Sequence, residues 1–403
     1  MWDICMKAYL DYAATTPLDP RVLRVMMPYM KAKFGNPSSI HSWGQEARMA
    51  VEESRKKIAK VLNCQAEEII FTGTTTTSDN LAIQGVGRVA EKKGRGNHII
   101  TSSVEHHGVL DTCKALKKQG FKVTFLPVDK YGMVDPKDLE KGINKKTVLV
   151  TIMYANNEVG TVQPIKEMAT WLHRACRQAG GYMVAKKRKI FFHTDAAAVV
   201  DYLDINVKKI GVDLMSIGAH KFGGPKGIGA LYIRKGVEIK PLTFGGHHEK
   251  GLWPGTEAVP LIVGMAKALE IADQEKKEAV KKATKLRDKL IKGILAKIPD
   301  SQLTGHPNKR LPDIASFVIK GVEGEAMLLH LSDQGIAASS GSACTSGILE
   351  PSHVLTAMGI PPELSHGSLR FSLGKKTSEE DIDYVLEVLP KIVDKLRKIA
   401  PKL

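Results

Sequence analysis

The chain has 403 residues, 43% of them apolar and 25% charged, which are the proportions of a globular protein with room for two domains. Its 59 Lys and Arg against 43 Asp and Glu leave a formal net charge of +16. That excess is spread out and joined by no nucleic-acid motif, so nucleic acid is not an expected partner. No apolar run reaches the roughly 20 residues of a membrane helix, and Met1–Cys5 opens no basic-then-apolar leader, so a cytoplasmic protein without a membrane partner is expected.

From about residue 45 to 235, helix-like stretches such as Gln45–Val61 and Val109–Lys118 alternate with short apolar runs. The predicted strands are Ile69–Thr72, His98–Thr101, Val123–Leu126, Val148–Met153, Ile190–Thr194, Leu214–Ser216 and Ala230–Ile233. This rhythm predicts an α/β fold whose mainly parallel, seven-stranded sheet is flanked by helices. After Pro260 a long helix is predicted from Leu261 to about Lys297, with Val280, Ala283, Leu286, Leu290 and Ile294 on one face. Strands near Ile314–Ile319 and Leu369–Leu373 follow, then a final helix whose start, Thr377-Ser378-Glu379-Glu380, has the spacing of a capping box. The expected division is a large domain over 13–260 and a small α+β domain made of 1–12 with 261–403.

Ligands of such sheets bind beyond the C-terminal ends of the strands. Gly73 to Thr77 form a small-residue turn entering a helix, suited to a phosphate but equally to a simple N-cap. The later strand ends offer Glu105-His106-His107, Asn156-Asn157-Glu158, Asp195, and Gly218-Ala219-His220-Lys221. Together they assemble a carboxylate, an imidazole, an amide, a lysine and a phosphate-type turn. Pyridoxal phosphate (PLP) chemistry calls for that set: a lysine for the Schiff base, a carboxylate for the ring nitrogen, a flat group for the ring face.

The five cysteines are Cys5, Cys64, Cys113, Cys176 and Cys344. Their odd count and lack of CxxC spacing argue against a disulfide framework or a cysteine-built metal site. Cys64, Cys113 and Cys176 read as small buried hydrophobes, whereas Cys344 lies in a Ser/Gly-rich loop.

The whole chain resembles the PLP-dependent cysteine desulfurases of the NifS/IscS type, in the fold-type I, class-V aminotransferase superfamily. The resemblance is carried by Leu10-Asp11-Tyr12-Ala13-Ala14-Thr15-Thr16-Pro17, Phe34-Gly35-Asn36-Pro37-Ser38-Ser39, Glu105-His106, Asn156-Asn157-Glu158, His220-Lys221, Leu369-Arg370-Phe371-Ser372 and, most specifically, Ser339-Ser340-Gly341-Ser342-Ala343-Cys344-Thr345-Ser346. It implies conversion of L-cysteine to L-alanine, with the sulfur held as a persulfide on Cys344. Lys221 would carry the cofactor and move the substrate α-proton, and Asp195 would face the ring nitrogen. His106 would stack on the ring, and Asn157 would lie near cofactor and substrate. Thr75, Thr76 and His220 would hold the phosphate, with Gly218 beside them and Thr256 joining from the other subunit of a homodimer. Asn36, Asn157 and Arg370 would bind substrate, Arg370 through its carboxylate. The implied sulfur acceptor is an iron–sulfur scaffold protein or a tRNA-thiolation relay. Other PLP enzymes of this fold (a selenocysteine lyase, an aminotransferase, a tRNA-dependent cysteine-forming enzyme), a weakly active binding partner and a basic RNA-binding protein are the competing readings.

Several positions depart from the family pattern. The usual Ser-Gly-Ala-Thr-Glu turn reads Gly73-Thr74-Thr75-Thr76-Thr77, the expected Gln and Ser are Ala198 and Gly218, and Arg-Ser-Gly-Thr reads Trp253-Pro254-Gly255-Thr256. An expected Asn is Ala258, and a basic insertion occupies Val184–Lys189. Each lost hydrogen bond to an anionic cofactor would cost roughly 1.5–3 kcal/mol. Weak PLP retention is therefore expected, with Thr74 and Thr77 as the candidate compensating hydroxyls.

Overall fold

A computed structural model of the chain describes residues 8–177, 189–341 and 351–399, with side chains at 176–177 outside the description. The strands in chain order are β1 (Ala8–Tyr9), β2 (Ile69–Thr72), β3 (His98–Ser102), β4 (Lys122–Leu126), β5 (Thr147–Thr151), β6 (Phe191–Asp195), β7 (Leu214–Gly218), β8 (Gly229–Ile233), β9 (Ser301–Leu303), β10 (Ile314–Ile319), β11 (Ile336–Ala337) and β12 (Ser368–Ser372). The expected seven-stranded sheet forms in the order β2-β8-β7-β6-β5-β3-β4. All its neighbours are parallel except around β8, which runs antiparallel to both β2 and β7. Buried runs such as Ile69–Thr72 and Thr147–Thr151 explain why helices must cover both faces.

Beyond this sheet, β12-β10-β9 form an antiparallel sheet, and β1 pairs in parallel with β11. The helix Val259–Lys297 serves two cores. Its first half packs Ile262, Met265, Leu269 and Ala272 into the apolar cluster containing Phe71, Phe192 and Phe222. Its second half places Leu286, Leu290 and Ile294 against Phe317, Phe371 and Leu389. The final helix begins one residue later than the predicted box: Asp381 N–H donates to Ser378 Oγ and Ser378 N–H to the Asp381 carboxylate, while Thr377 Oγ1 accepts from Gly374 N–H. The reciprocal bonds place the box at Ser378–Asp381 rather than Thr377–Glu380, with Asp381 in the position a Glu more often takes.

The edge of the large sheet is closed by charge. β2 pairs only with β8, and the outward groups of an edge strand need other partners. Arg55 Nη1 donates to the Ile69 carbonyl, and Phe71 N–H donates to Glu249 Oε2. The two side chains meet as a bidentate pair at 2.6 and 2.8 Å, with the guanidinium 4.7 Å from the Phe71 ring centre. The pair therefore ties helix Ser42–Leu62 and the 248–251 turn to the sheet. Removing one partner strands a buried charge, at a cost of about 3–5 kcal/mol. Urea unfolding of Glu249→Ala should show a loss of that order. The double variant Arg55→Met/Glu249→Leu should lose less than Glu249→Ala, and a larger loss would contradict the edge-closure account.

Candidate functional site

The reversal at β8 creates the site. The short 3-10 turn Ala219–Lys221 follows β7 directly, and Gly223 and Gly227 adopt φ of 80° and 83° to bring the chain back into β8. Gly218 and Gly229 are register partners across β7 and β8. A Cβ on Gly229 would meet the Thr74 carbonyl carbon at 2.7 Å, so its absence lets the turn after β2 press against the sheet end. Three strand ends thus meet: β2 with Thr74–Thr76, β6 with Asp195, and β7 with His220 and Lys221.

They line one cavity of about 670 Å³, joined by His106, Asn157, Glu158, Ala198, Ser339, Ser340, Gly341 and Arg370. Lys221 Nζ donates to the carbonyls of Ala13 and Ala14 at 2.5 and 2.9 Å, so the N-terminal segment forms the near wall. His106 caps helix His107–Lys118, its Nδ1 accepting from Gly108 N–H at 3.1 Å, which fixes the ring at the cavity edge. Burial, and secondarily Lys221, holds this imidazole below the usual range, although Asp195 pulls the other way. Burial likewise drives His220 down to about 4, with Lys221 and Lys226 adding to it, and its Nδ1 lies 3.2 Å from Thr15 Oγ1. Both rings are neutral at neutral pH.

Asp195 is buried and accepts from Ala197 N–H at 2.8 Å. Burial raises its pKa, opposed by His106 and Lys221, so a cationic group placed against it would be strongly favoured. Behind it lies a layer that the motif reading did not assign. His193 spans Thr151 Oγ1 at 2.8 Å and Ser216 Oγ at 3.0 Å and stands 3.6 Å from Asp79, whose carboxyl burial pushes well up. The sequence signal was the polar pair Ser78-Asp79 at the start of a helix whose remaining buried positions, from Leu81 to Ala90, are apolar or glycine.

Arg370, 5% exposed, is aimed by two partners: Nη2 donates to Asp11 Oδ1 at 2.9 Å and Nη1 to the Asn157 carbonyl at 3.0 Å. Its Nε has no partner among the described residues. Asp11 belonged to a recognised motif but had no assigned role. Within the Asn156-Asn157-Glu158 triplet, Asn156 is spent on the turn, accepting from Glu158 and Val159 N–H and donating to Val104 O. Asn157 is left to face the cavity.

Thr74 and Thr77 do not compensate as expected. Their hydroxyls and N–H groups are exchanged in a capping box that starts helix Thr75–Lys92, because helix initiation at this turn needs those acceptors. Thr74, Thr75 and Thr76 all line the cavity, but of these only Thr75 has a buried hydroxyl without a partner among the described residues. Asn36 and Thr256 do not line it. Both are exposed, and His248 lies between their segments, its Nε2 3.3 Å from Ser38 Oγ and its Nδ1 accepting from Gly255 N–H. Cys344 lies outside the described residues, as do Cys5 and all but Lys189 of the basic insertion. Cys64 and Cys113 are pushed up to about 12 by burial and are inert thiols at neutral pH. No cluster that could hold a metal ion occurs among the described residues. No described helix is long and apolar enough to cross a membrane.

Glu105 supports the site from below. It accepts from Ser102 Oγ at 2.5 Å and from Met153 N–H, yet burial outweighs these bonds and drives its carboxyl up from 4.5 to about 8. A raised native value means the fold binds this proton more tightly than the unfolded chain does. The contribution to stability is full below pH 4.5 and is lost as pH rises through about 8. Glu105→Gln cannot ionise. Thermal melts should therefore show the variant gaining on the wild type as pH rises across that window, and parallel curves would refute the assignment.

Comparison with known proteins agrees with this geometry. The Aminotransferase class-V family model matches residues 8–385. The cysteine desulfurase IscS of Dictyoglomus turgidum is 51% identical over 98% of this chain and 96% of its own. That of Methanosarcina thermophila is also 51% identical, over 98% and 93%. A solved NifS-like protein superposes with a TM-score of 0.88 at 39% identity, covering 97% of this chain and 100% of that one. With a lysine, a buried aspartate, a capped histidine and an aimed arginine around one cavity, the chain belongs to the cysteine desulfurases of the aminotransferase class-V family.

Proposed function

We propose that the chain takes L-cysteine to L-alanine at this cavity and retains the sulfur on Cys344 as a persulfide. The family depends on PLP, and the residues present fit it. The cavity has the size of a small-molecule site. Its wall carries buried polar atoms, Thr75 Oγ1 and Arg370 Nε, that lack partners among the described residues. Lys221 and Asp195 supply the amine and the carboxylate such a cofactor needs. When bound, PLP supplies an electron sink that stabilises negative charge at the substrate α-carbon and lets the C–S bond break.

The protein's own groups do the rest. Lys221 would hold the cofactor and move the proton at the substrate α-carbon, and Asp195 would keep the ring nitrogen protonated. His106, neutral and fixed by its cap, would lie on the ring face. Arg370 would take the substrate carboxylate, with Asp11 and the Asn157 carbonyl holding its guanidinium in register. The Cys344 thiolate attacks the substrate sulfur. An S–S bond forms as the C–S bond breaks, the carbon fragment takes up protons to become alanine, and Cys344 carries S–SH. Gly341 lines the cavity, three residues before Cys344.

Two further features belong to the same reading. The exposed Asn36 and Thr256 segments, flanked by Phe34, Ile40, Trp43 and Phe244 at 59–94% exposure, form a face suited to a second copy of the chain. A homodimer would turn Thr256 and Asn36 toward the partner's cavity. The division into 13–260 and 1–12 with 261–403 would cut helix Val259–Lys297 near its start, although the first half of that helix packs in the larger core. The sulfur acceptor would be an iron–sulfur scaffold or a tRNA-thiolation relay, and the cytoplasm the compartment.

The observation that carries the proposal is Lys221, Asp195, His106 and Arg370 meeting in one cavity. Alanine and sulfide formed from cysteine, with PLP bound per chain, are the readouts. Cys344→Ser should bind PLP like the wild type and form neither product, while Lys221→Ala should lose both products. Arg370→Lys keeps the charge but not the fork, and should raise KM by roughly tenfold or more. Wild-type turnover in Cys344→Ser would overturn the persulfide step.

A further inference from the structure

The corner between β7 and helix Thr75–Lys92 has room for one side-chain oxygen. A Cβ built on Gly218 would lie 2.1 Å from Thr75 Oγ1 and 3.5 Å from Thr75 Cβ, so the threonine hydroxyl fills the space a residue-218 side chain would need. That oxygen is buried and has no hydrogen-bond partner among the described residues. Its neighbours cannot serve it, since the Thr74 and Thr77 hydroxyls are committed to the helix cap. A buried hydroxyl without a partner is destabilising unless a ligand supplies one. Thr75 lines the cavity beside Thr76, His220 and Lys221, at a helix start where backbone N–H groups already favour an anion.

We propose that Thr75 and Gly218 are an exchanged pair, in which the hydroxyl for the cofactor phosphate comes from the helix side because glycine at 218 vacates the room for it. The proposal rests on the PLP reading of the cavity and deepens it. The Thr75 O–H donates to a phosphate oxygen, doing from position 75 what a serine at position 218 would do from the strand. The two cannot coexist, because a side chain at 218 collides with the threonine. Glycine at 218 is then a condition for the hydroxyl at 75. The missing serine is relocated, and weak retention is left to Ala198 alone, which presents only a methyl group where a glutamine amide was expected.

Titrations of the full-length apoprotein with PLP and with pyridoxal, which lacks the phosphate, separate a phosphate contact from a structural role. Thr75→Val keeps the shape and removes the donor. It should lose roughly tenfold or more in PLP affinity and hold pyridoxal as the wild type does. Thr75→Ser should restore PLP affinity. Gly218→Ser alone should lower the melting temperature and weaken both ligands, whereas Thr75→Ala/Gly218→Ser should recover both. PLP binding by Thr75→Val equal to that of the wild type, or an equal loss for PLP and pyridoxal, would overturn the proposal. A double variant weaker than Gly218→Ser alone would do the same. A wild type that binds neither ligand would instead remove the PLP reading, a result visible before any variant is compared.

Discussion

The direction of one strand, β8, organises the cavity. Had β8 entered the sheet in parallel, its connection from β7 would have been a crossover of a dozen or more residues on the far side of the sheet. Because it runs back antiparallel, the residues between Gly218 and Gly229 stay at the C-terminal end of β7, and Lys221 is held there. The same strand pairs β2 on its other edge, which brings the Thr74–Thr76 turn against the two glycines. A lysine and a threonine-rich helix-start turn nearly 150 positions apart in the chain become neighbours through a single antiparallel insertion.

Around that corner the protein accumulates buried acid. Asp195, Asp79, Glu105, Glu158 and Asp313 are all buried, and burial raises each of their carboxyls. Such a layer weakens the fold, and its positive counterparts, Lys221 and Arg370, are bound to carbonyls and to Asp11. A cationic ring nitrogen placed against Asp195 would offset part of that cost, whereas a substrate carboxylate would pair with Arg370. This is a stability cost concentrated at the place where function uses it.

Much of this was legible from residue patterns. The strands were readable because runs such as Ile69–Thr72 and Val148–Val150 are apolar and bounded by turns, and once a parallel sheet is inferred, its strand ends point to Asp195, His106 and Lys221. What escaped was anything decided by which hydroxyl faces which way. Four consecutive threonines look alike in sequence, yet two cap a helix and one sits over Gly218. The box at the last helix slid by one residue for the same reason, because Ser378 and Thr377 are equivalent until backbone geometry chooses between them. Asp11 was invisible as a partner of Arg370 because their 359-residue separation leaves no local trace. Asn36 does not line the cavity within one chain, and nor does Thr256, which was expected there from a second copy.

The helix Val259–Lys297 has a further consequence. Each half of its apolar stripe is covered by a different core, Phe71 and Phe192 on one side and Phe317 and Phe371 on the other. Loss of either core would uncover half of a single hydrogen-bonded rod and expose apolar surface that its other half still needs. The two cores should therefore melt together, and a destabilising change in the small antiparallel sheet should be felt at the strand ends that hold Lys221.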